Sequence, residues 1–330
     1  MSTLSTTNPT LADFASRMKP DGSIDPMIIE ILSETNEILD DMTVIEANGY
    51  TEHKTTIRSG LPTGTWRKLN YGVQPEKSKT VPVKDSMGML ETYAEVDKAL
   101  ADLNDNKAAW RLSEDRAFIE GLNQTMAKTI FYGDSSQDPE KFMGLAPRYS
   151  SLSAENKDNI LTAGGAGSDN TSIWLATWSP NTLHSIYPKG SQAGLSSRDL
   201  GEQTLFDADG GRYQGYRTHY KWDLGLTLRD WRYAVRIANV DVSDLTKDAS
   251  AGADLIDLLT QALEIIPNQN MGRTVFYCNR TIRSFLRRQI TNHKNVNLTL
   301  ETVAGKKVLM FDGVPVRRTD ALLNTEAAVS

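Results

Sequence analysis

The sequence predicts an α+β protein with a long β-hairpin and a very long helix, lacking the regular βαβ rhythm of a doubly wound sheet. Three observations predict it. Between residues 46 and 88, the β-like runs HKTTIR and TWRKLN sit among Gly49, Gly60, Gly64, Gly72 and Pro62, Pro75, Pro82. Apolar residues at helical spacing run from Tyr93, Val96 and Leu100 to Phe118, Leu122, Met126 and Ile130. Tyr216, Tyr220, Trp222, Leu224, Leu226 and Leu228 then share one strand alternation.

At 330 residues, 39% hydrophobic and 24% charged, the chain can hold two common-sized domains or one large one. No run approaches the roughly 20 apolar residues of a membrane span. The start MSTLSTTNPTLADF lacks the basic and apolar regions of a signal peptide, so synthesis in the cytosol is expected. The single Cys278 excludes an internal disulfide, and His53, His184, His219 and His293 show no metal-ligand spacing. A net charge of −6 argues against a dedicated nucleic-acid binder. The charge is uneven: residues 1–50 carry nine acids against Arg17 and Lys19, and residues 51–84 carry seven cations against Glu52 and Glu76. Either both segments are simply solvated, or they dock as complementary surfaces, within a subunit or between neighbours.

Residues 1–24, rich in Ser, Thr, Asn, Asp and Pro, read as an extended arm. Pro26 opens a short amphipathic helix over MIIEILSETNEILDDM. The hairpin carries Trp66 and Tyr71 but too few apolar residues for a core, and is marginal alone. From Leu90 the spacing predicts one helix or two in series to Phe131, roughly 60 Å if straight, with Ser113 as an N-cap before Glu114 and Asp115. In TIFYGDSSQDPEKFMGL (129–145), Gly133 stops the helix, polar residues turn the chain, and Phe142, Met143 and Leu145 return it to the core. SIWLATW reads as a strand, and 181–215 as loops or an insertion. A phase shift after Arg229-Asp230 marks a bulge or a tight turn between strands. A helix over 251–266 follows, then the strand TVFYC, Asn279 capping the helix RTIRSFLRRQI, and strands NLTLETV, KKVLMF and VPVRR.

Motifs that could carry chemistry fall short. AGGAGSDN (163–170) lacks the lysine of a phosphate loop and reads as a flexible loop. DADGG (207–211) has Arg212 and Thr218 where a calcium loop needs Gly and Glu. Trp174, Trp222 and Asp223 are the residues a glycan-binding or glycan-active enzyme would use, although aromatics alternating on strands more often form core. Arg280, Arg283, Arg287, Arg288 and Lys294 make a basic helix fit for a solvated face, a subunit contact or phosphates. No active site emerges, so the chain is read as non-enzymatic, without cofactor or metal. Parts that cannot bury themselves suggest a subunit of an assembly.

Three stretches carry a resemblance. VDKALADLNDNKAAWRLSEDRAFIEGLNQTMAKTIFYGD with KFMGLAPRY resembles a spine helix and its exit. TVFYCNRTIRSFLRRQ resembles an axial-domain strand, cap and helix, and FDGVPVRRTDAL resembles the G-[LV]-P-V strand. All belong to the major capsid proteins of tailed double-stranded DNA bacteriophages, the Hong Kong 97-type fold. The resemblance covers most of the chain from about residue 45. It implies an N-terminal arm (1–45), an E-loop hairpin (46–88), a peripheral domain with the spine helix (89–150), an axial-domain part with loops (151–215), long peripheral strands (216–240) and an axial domain (241–330). Long strands placed before the axial-type helices imply a branch with rearranged strand order. The implied function is self-assembly into hexamers and pentamers of an icosahedral shell around phage DNA, in a virion assembled in the bacterial host cytoplasm. An encapsulin-type nanocompartment shell shares the fold and is the nearest alternative. Implied partners are other copies of the chain, a separate scaffolding protein because only about 45 residues precede the hairpin, a portal, a decoration protein and non-specifically held DNA, with no membrane. Candidate inter-subunit contacts are Lys54, Arg58, Trp66, Arg67, Lys68, Lys77 and Lys79.

Overall fold

The computed structural model describes residues 34–102, 107–207, 209–246, 252–292, 298–303 and 306–330. The predicted arm over 1–24, the start of the amphipathic helix and Lys294 lie outside the described residues; the helix's end is a single turn, Ile38–Asp41. The strands are β1 (Val44–Glu46), β2 (Glu52–Gly60), β3 (Lys79–Asp97), β4 (Ile160–Thr162), β5 (Asn170–Trp178), β6 (Leu183–Tyr187), β7 (Ser196–Phe206), β8 (Arg212–Leu228), β9 (Ala234–Asp241), β10 (Arg273–Cys278), β11 (Leu298–Val303), β12 (Lys306–Phe311) and β13 (Val314–Arg318). The helices longer than one turn are α1 (Lys107–Tyr132), α2 (Leu255–Ile265) and α3 (Arg280–Asn292). Contacts divide the chain into a smaller unit, which includes Met89–Lys128 and Gly194–Asp223, and a larger one of Asn36–Gly88, Thr129–Ala193 and Leu224–Ser330.

The larger unit is built on β5, all nine residues of which are buried. A strand covered on both faces reads as a continuous apolar run, as SIWLATW does. It pairs antiparallel with β9 and β10, and β10 runs parallel to β13. Leu255, Leu259, Ala262 and Leu263 of α2 and Ile282 and Leu286 of α3 share one apolar core with Ile173, Val235, Phe276 and Val316. Asn279 caps α3 as predicted, its Oδ1 accepting from Ile282 N–H at 2.9 Å. The phase shift after Asp230 is a turn rather than a bulge. β8 ends at Leu228 beside β6, a 3₁₀ turn covers Trp231–Tyr233, and β9 then joins β4 and β5.

In the smaller unit, Val96, Leu100, Ala101 and Tyr216 form a core cluster. The helix expected from Leu90 is corrected here: β3 runs to Asp97, and its exposure alternates from Met89 to Ala94. Apolar Met89 and Tyr93 on the outward face hid that period of two. Among the described residues the long helix covers Lys107–Tyr132, 26 residues or about 39 Å. Ser113 lies inside it and is no cap. The 181–215 segment is not loops either; it holds β6 and β7, and β7 pairs with β8 from Ser196↔Lys221 to Phe206↔Arg212. β7 is polar on both faces, which erased its alternation.

The helix exit is a tight corner. Gly133 N–H donates to Thr129 O at 2.8 Å, and Gly144 N–H to Gly133 O at 2.7 Å. A Cβ on Gly133 would come within 2.5 Å of Phe142 O, so glycine is required by close approach and not by a left-handed turn. Asp134 Oδ1 accepts from Ser136 N–H at 2.9 Å and holds the turn.

Beneath this corner, Arg236 of β9 is buried and fully engaged. Its Nε donates to Ser172 Oγ (3.0 Å), Nη1 to Tyr149 O (2.8 Å) and Nη2 to Glu326 Oε2 (2.8 Å), and the guanidinium lies 5.3 Å from the Trp174 ring centre. Tyr132 O–H donates to the other Glu326 oxygen. Replacing Arg236 by Met strands a buried carboxylate, and is expected to lower the unfolding free energy of the unassembled chain by about 3–5 kcal/mol. The double change Arg236→Met/Glu326→Met should recover much of that loss in urea titrations.

At the hairpin root, the rings of His53 (β2) and buried His184 (β6) meet edge to face, centroids 5.9 Å apart. Burial first, then the charges of His53 and Arg229, push His184 down to about 4. The unfolded chain therefore binds the proton more tightly, and the stability this neutral imidazole contributes is full above about pH 6.5 and lost towards pH 4. Thermal melts should fall as pH drops through that window, and His184→Asn should flatten the profile.

Candidate subunit-contact surface

The hairpin pairs antiparallel from Glu52↔Ser86 to Gly60↔Lys79, with a register shift at Arg58/Gly60. Its root is pinned: Asn48 Nδ2 donates to Lys54 O (2.6 Å) and Lys54 N–H to Asn48 Oδ1 (2.9 Å). TWRKLN is not a strand. Residues 61–78 form an irregular tip, tied by Thr63 N–H to Glu76 Oε2 at 2.6 Å and by Tyr71 N–H to Lys68 O at 3.2 Å. No ladder forms because the apolar side chains there have nothing to lie on. Trp66 is 99% exposed, and Leu61, Leu69 and Tyr71 stand out with it. Leu61 and Leu69 were not singled out by charge reasoning; their place among the tip's glycines and prolines was the available signal.

All seven predicted contact residues are exposed. The fold brings Trp66, Arg67, Lys68 and Lys77 together in the tip segment. Arg58 stands opposite Thr80, and Lys79 opposite Gly60, on the strands below it. Lys54 lies near the root, 2.9 Å from Glu52, which also meets Lys84 at 3.6 Å. The hydrogen bond from Lys54 chiefly holds the Glu52 carboxyl below its usual range. The surface thus offers cations around an apolar tip.

Among the described residues of the acidic segment, Glu37 and Asp41 turn to other partners. Asp41 is buried against Arg273 (2.5 Å) and Arg317 (3.5 Å) and accepts from Tyr277 O–H (3.1 Å). Glu37 meets Arg317 at 3.4 Å and Arg283 at 4.0 Å. These acids answer arginines of β10, α3 and β13, not the hairpin.

Of the residues of the enzyme alternative, both tryptophans are core, and Asp223 is half-buried, 3.3 Å from Lys221. Trp174 is fully buried between Phe131, Tyr149 and Arg236, and Trp222 is 7% exposed. Burial pushes the Cys278 thiol up to about 12, leaving it protonated and unreactive. The DADGG stretch is a hairpin turn in which Asp207 Oδ1 accepts from Asp209 and Gly211 N–H. In the AGGAGSDN loop, Asn170 Nδ2 donates to Gly167 O.

No curated protein sequence matches the chain. The family model of the major capsid protein GP7 matches residues 19–330. A chain in the solved structure of bacteriophage Epsilon15 is 43% identical, with a TM-score of 0.78 over 100% of this chain and 99% of that one. The bacteriophage JBD30 capsid shares the fold at 11% identity, with a TM-score of 0.52 over 93% of this chain and 97% of that one. A chain of the holo-SrpI encapsulin complex from Synechococcus elongatus PCC 7942 aligns at 11% identity over 71% of this chain and 97% of its own, with a TM-score of 0.48. An exposed hairpin on an α+β core, matched along almost its whole length by a phage capsid family, fixes the assignment: the chain belongs to the major capsid protein GP7 family, with the Hong Kong 97-type fold of an icosahedral shell protein.

Proposed function

We propose that the chain tiles into hexamers and pentamers around phage DNA, each E-loop hairpin (51–84) lying across a neighbouring copy. The observation that carries this reading is the tip, where Trp66 is 99% exposed among other apolar side chains. A two-stranded hairpin is marginal in water. Obligate interfaces commonly bury about 2,000–5,000 Å² in total, enough to hold such an element. Lys54, Arg58, Trp66, Arg67, Lys68, Lys77 and Lys79 are the proposed contacts, with Trp66 as anchor and the cations setting orientation. The receiving surface is one other than Glu37 and Asp41, which are already engaged. The six segments predicted from the sequence, from arm to axial domain, remain the proposed division of labour. A separate scaffolding protein, a portal, a decoration protein and non-specifically held DNA are the proposed partners, with assembly in the host cytoplasm. The role is structural.

Deleting residues 55–80 should leave a soluble chain that forms no closed shells in electron micrographs; normal particles would overturn the reading. Trp66→Ser should leave the melting profile unchanged and raise the concentration needed for assembly, followed by light scattering, about tenfold or more.

A further inference from the structure

One charged surface is not absorbed by the shell contacts above. α3 reads RTIRSFLRRQITN, four arginines and no acid. Ile282, Leu286 and Gln289 are buried on its inner side. On the outer side, Arg280, Arg283, Ser284, Arg287 and Arg288, joined by Arg318 from the end of β13, line one open pocket of about 510 Å³. Arginines three and four apart on a helix repel, each pair costing a few tenths of a kcal/mol.

Two nearby carboxylates among the described residues are each shared. Asp320 serves Arg280 (3.1 Å) and Arg318 (2.5 Å), and Glu37 lies between Arg283 and Arg317. Arg288 is stacked over the Phe285 ring at 5.0 Å and donates to Ser284 Oγ at 3.1 Å, so its fork is held in place. Arg283 Nε is buried without an acceptor among the described residues.

We propose that this face of α3 binds the phosphate backbone of nucleic acid. The proposal rests on the reading of the chain as a shell around DNA, and names the surface that would hold it. The lining decides the class of ligand. A protein partner needs an aromatic or aliphatic anchor in a desolvated pocket, and among the described residues no apolar side chain lines this one. Backbone phosphates need only guanidinium forks and hydroxyls, which are what the pocket presents. Contacts of this kind carry no sequence information, so binding is non-specific and weakens steeply with salt.

The test is fluorescence anisotropy of the full-length chain with a labelled 20-base-pair duplex, titrated at several salt concentrations. Arg287→Gln/Arg288→Gln changes two exposed residues. Arg198→Gln/Arg212→Gln, on β7 and β8, removes the same charge elsewhere. The first variant should bind about tenfold more weakly than wild type, and its log affinity against log salt should be flatter by about 1 per arginine removed. The second should bind like wild type, and inorganic tripolyphosphate should compete with the duplex better than poly-glutamate does. Equal losses in the two variants would mean diffuse attraction and overturn the proposal. Poly-glutamate competing as well as tripolyphosphate would also overturn it, in favour of an acidic protein partner. Binding is read on the chain itself and shells by electron microscopy, so failure of this surface and failure of the shell reading are seen separately.

Discussion

The larger unit depends on one buried cation. Arg236 sits buried on β9, and its desolvation is offset because Nε, Nη1 and Nη2 each find an acceptor. Those acceptors come from distant parts of the chain: Ser172 on β5, the carbonyl of Tyr149 beyond the helix exit, and Glu326 near the last residue. Glu326 in turn accepts from Tyr132 at the end of α1, and its N–H donates to Asn170 O at 2.9 Å. Burial, with the Glu326 charge second, pushes the Tyr132 hydroxyl upward, so it remains a donor. One guanidinium thereby fixes where the spine helix stops, where the C-terminal segment docks and how β5 and β9 meet. Nearby, Asn239 exchanges hydrogen bonds with the backbone of Val329, closing the same segment down.

That constraint explains the helix exit. Once Tyr132 is held, the chain must turn within a few residues, and Gly133 and Gly144 approach so closely that side chains would collide with backbone. The Gly-Asp turn is therefore a mechanical corner. Asp134 acts on its own loop, where hydrogen bonds from Ser136 hold its carboxyl below the usual range.

Much of this was legible in the sequence. β5, β10 and the Asn279 cap could be read because burial on both faces gives an unbroken apolar run and a cap needs only one residue type. The exposure of the hairpin's six cations could be read from charge, and that of Trp66 from its place in a segment without a core of its own. What could not be read had physical causes. β7 exposes polar groups on both faces, so no periodicity remains, and Tyr93 and Met89 face outward from β3 and imitate a helix. The tip aromatics looked like strand residues because propensity cannot tell whether a ladder partner exists. Arg236 and Glu326 stand 90 residues apart, and nothing local in either marks the other as its partner. Glu37 and Asp41 were visible as acids, but their arginine partners on β10, α3 and β13 were set by tertiary packing alone.

Acid pairing of that kind has a consequence for assembly. Had Glu37 and Asp41 neutralised the hairpin within the chain, the hairpin would lie against its own subunit and its tip would be covered. Instead those carboxylates are committed to arginines of the core, and among the described residues the hairpin tip keeps exposed cations and an uncovered indole. An element in that condition gains stability only by burying its surface elsewhere, and its order then depends on protomer concentration. On the shell reading, the same acids that knit the core together keep the hairpin available to a neighbour. Core charge pairing and assembly are then two results of one distribution of charge.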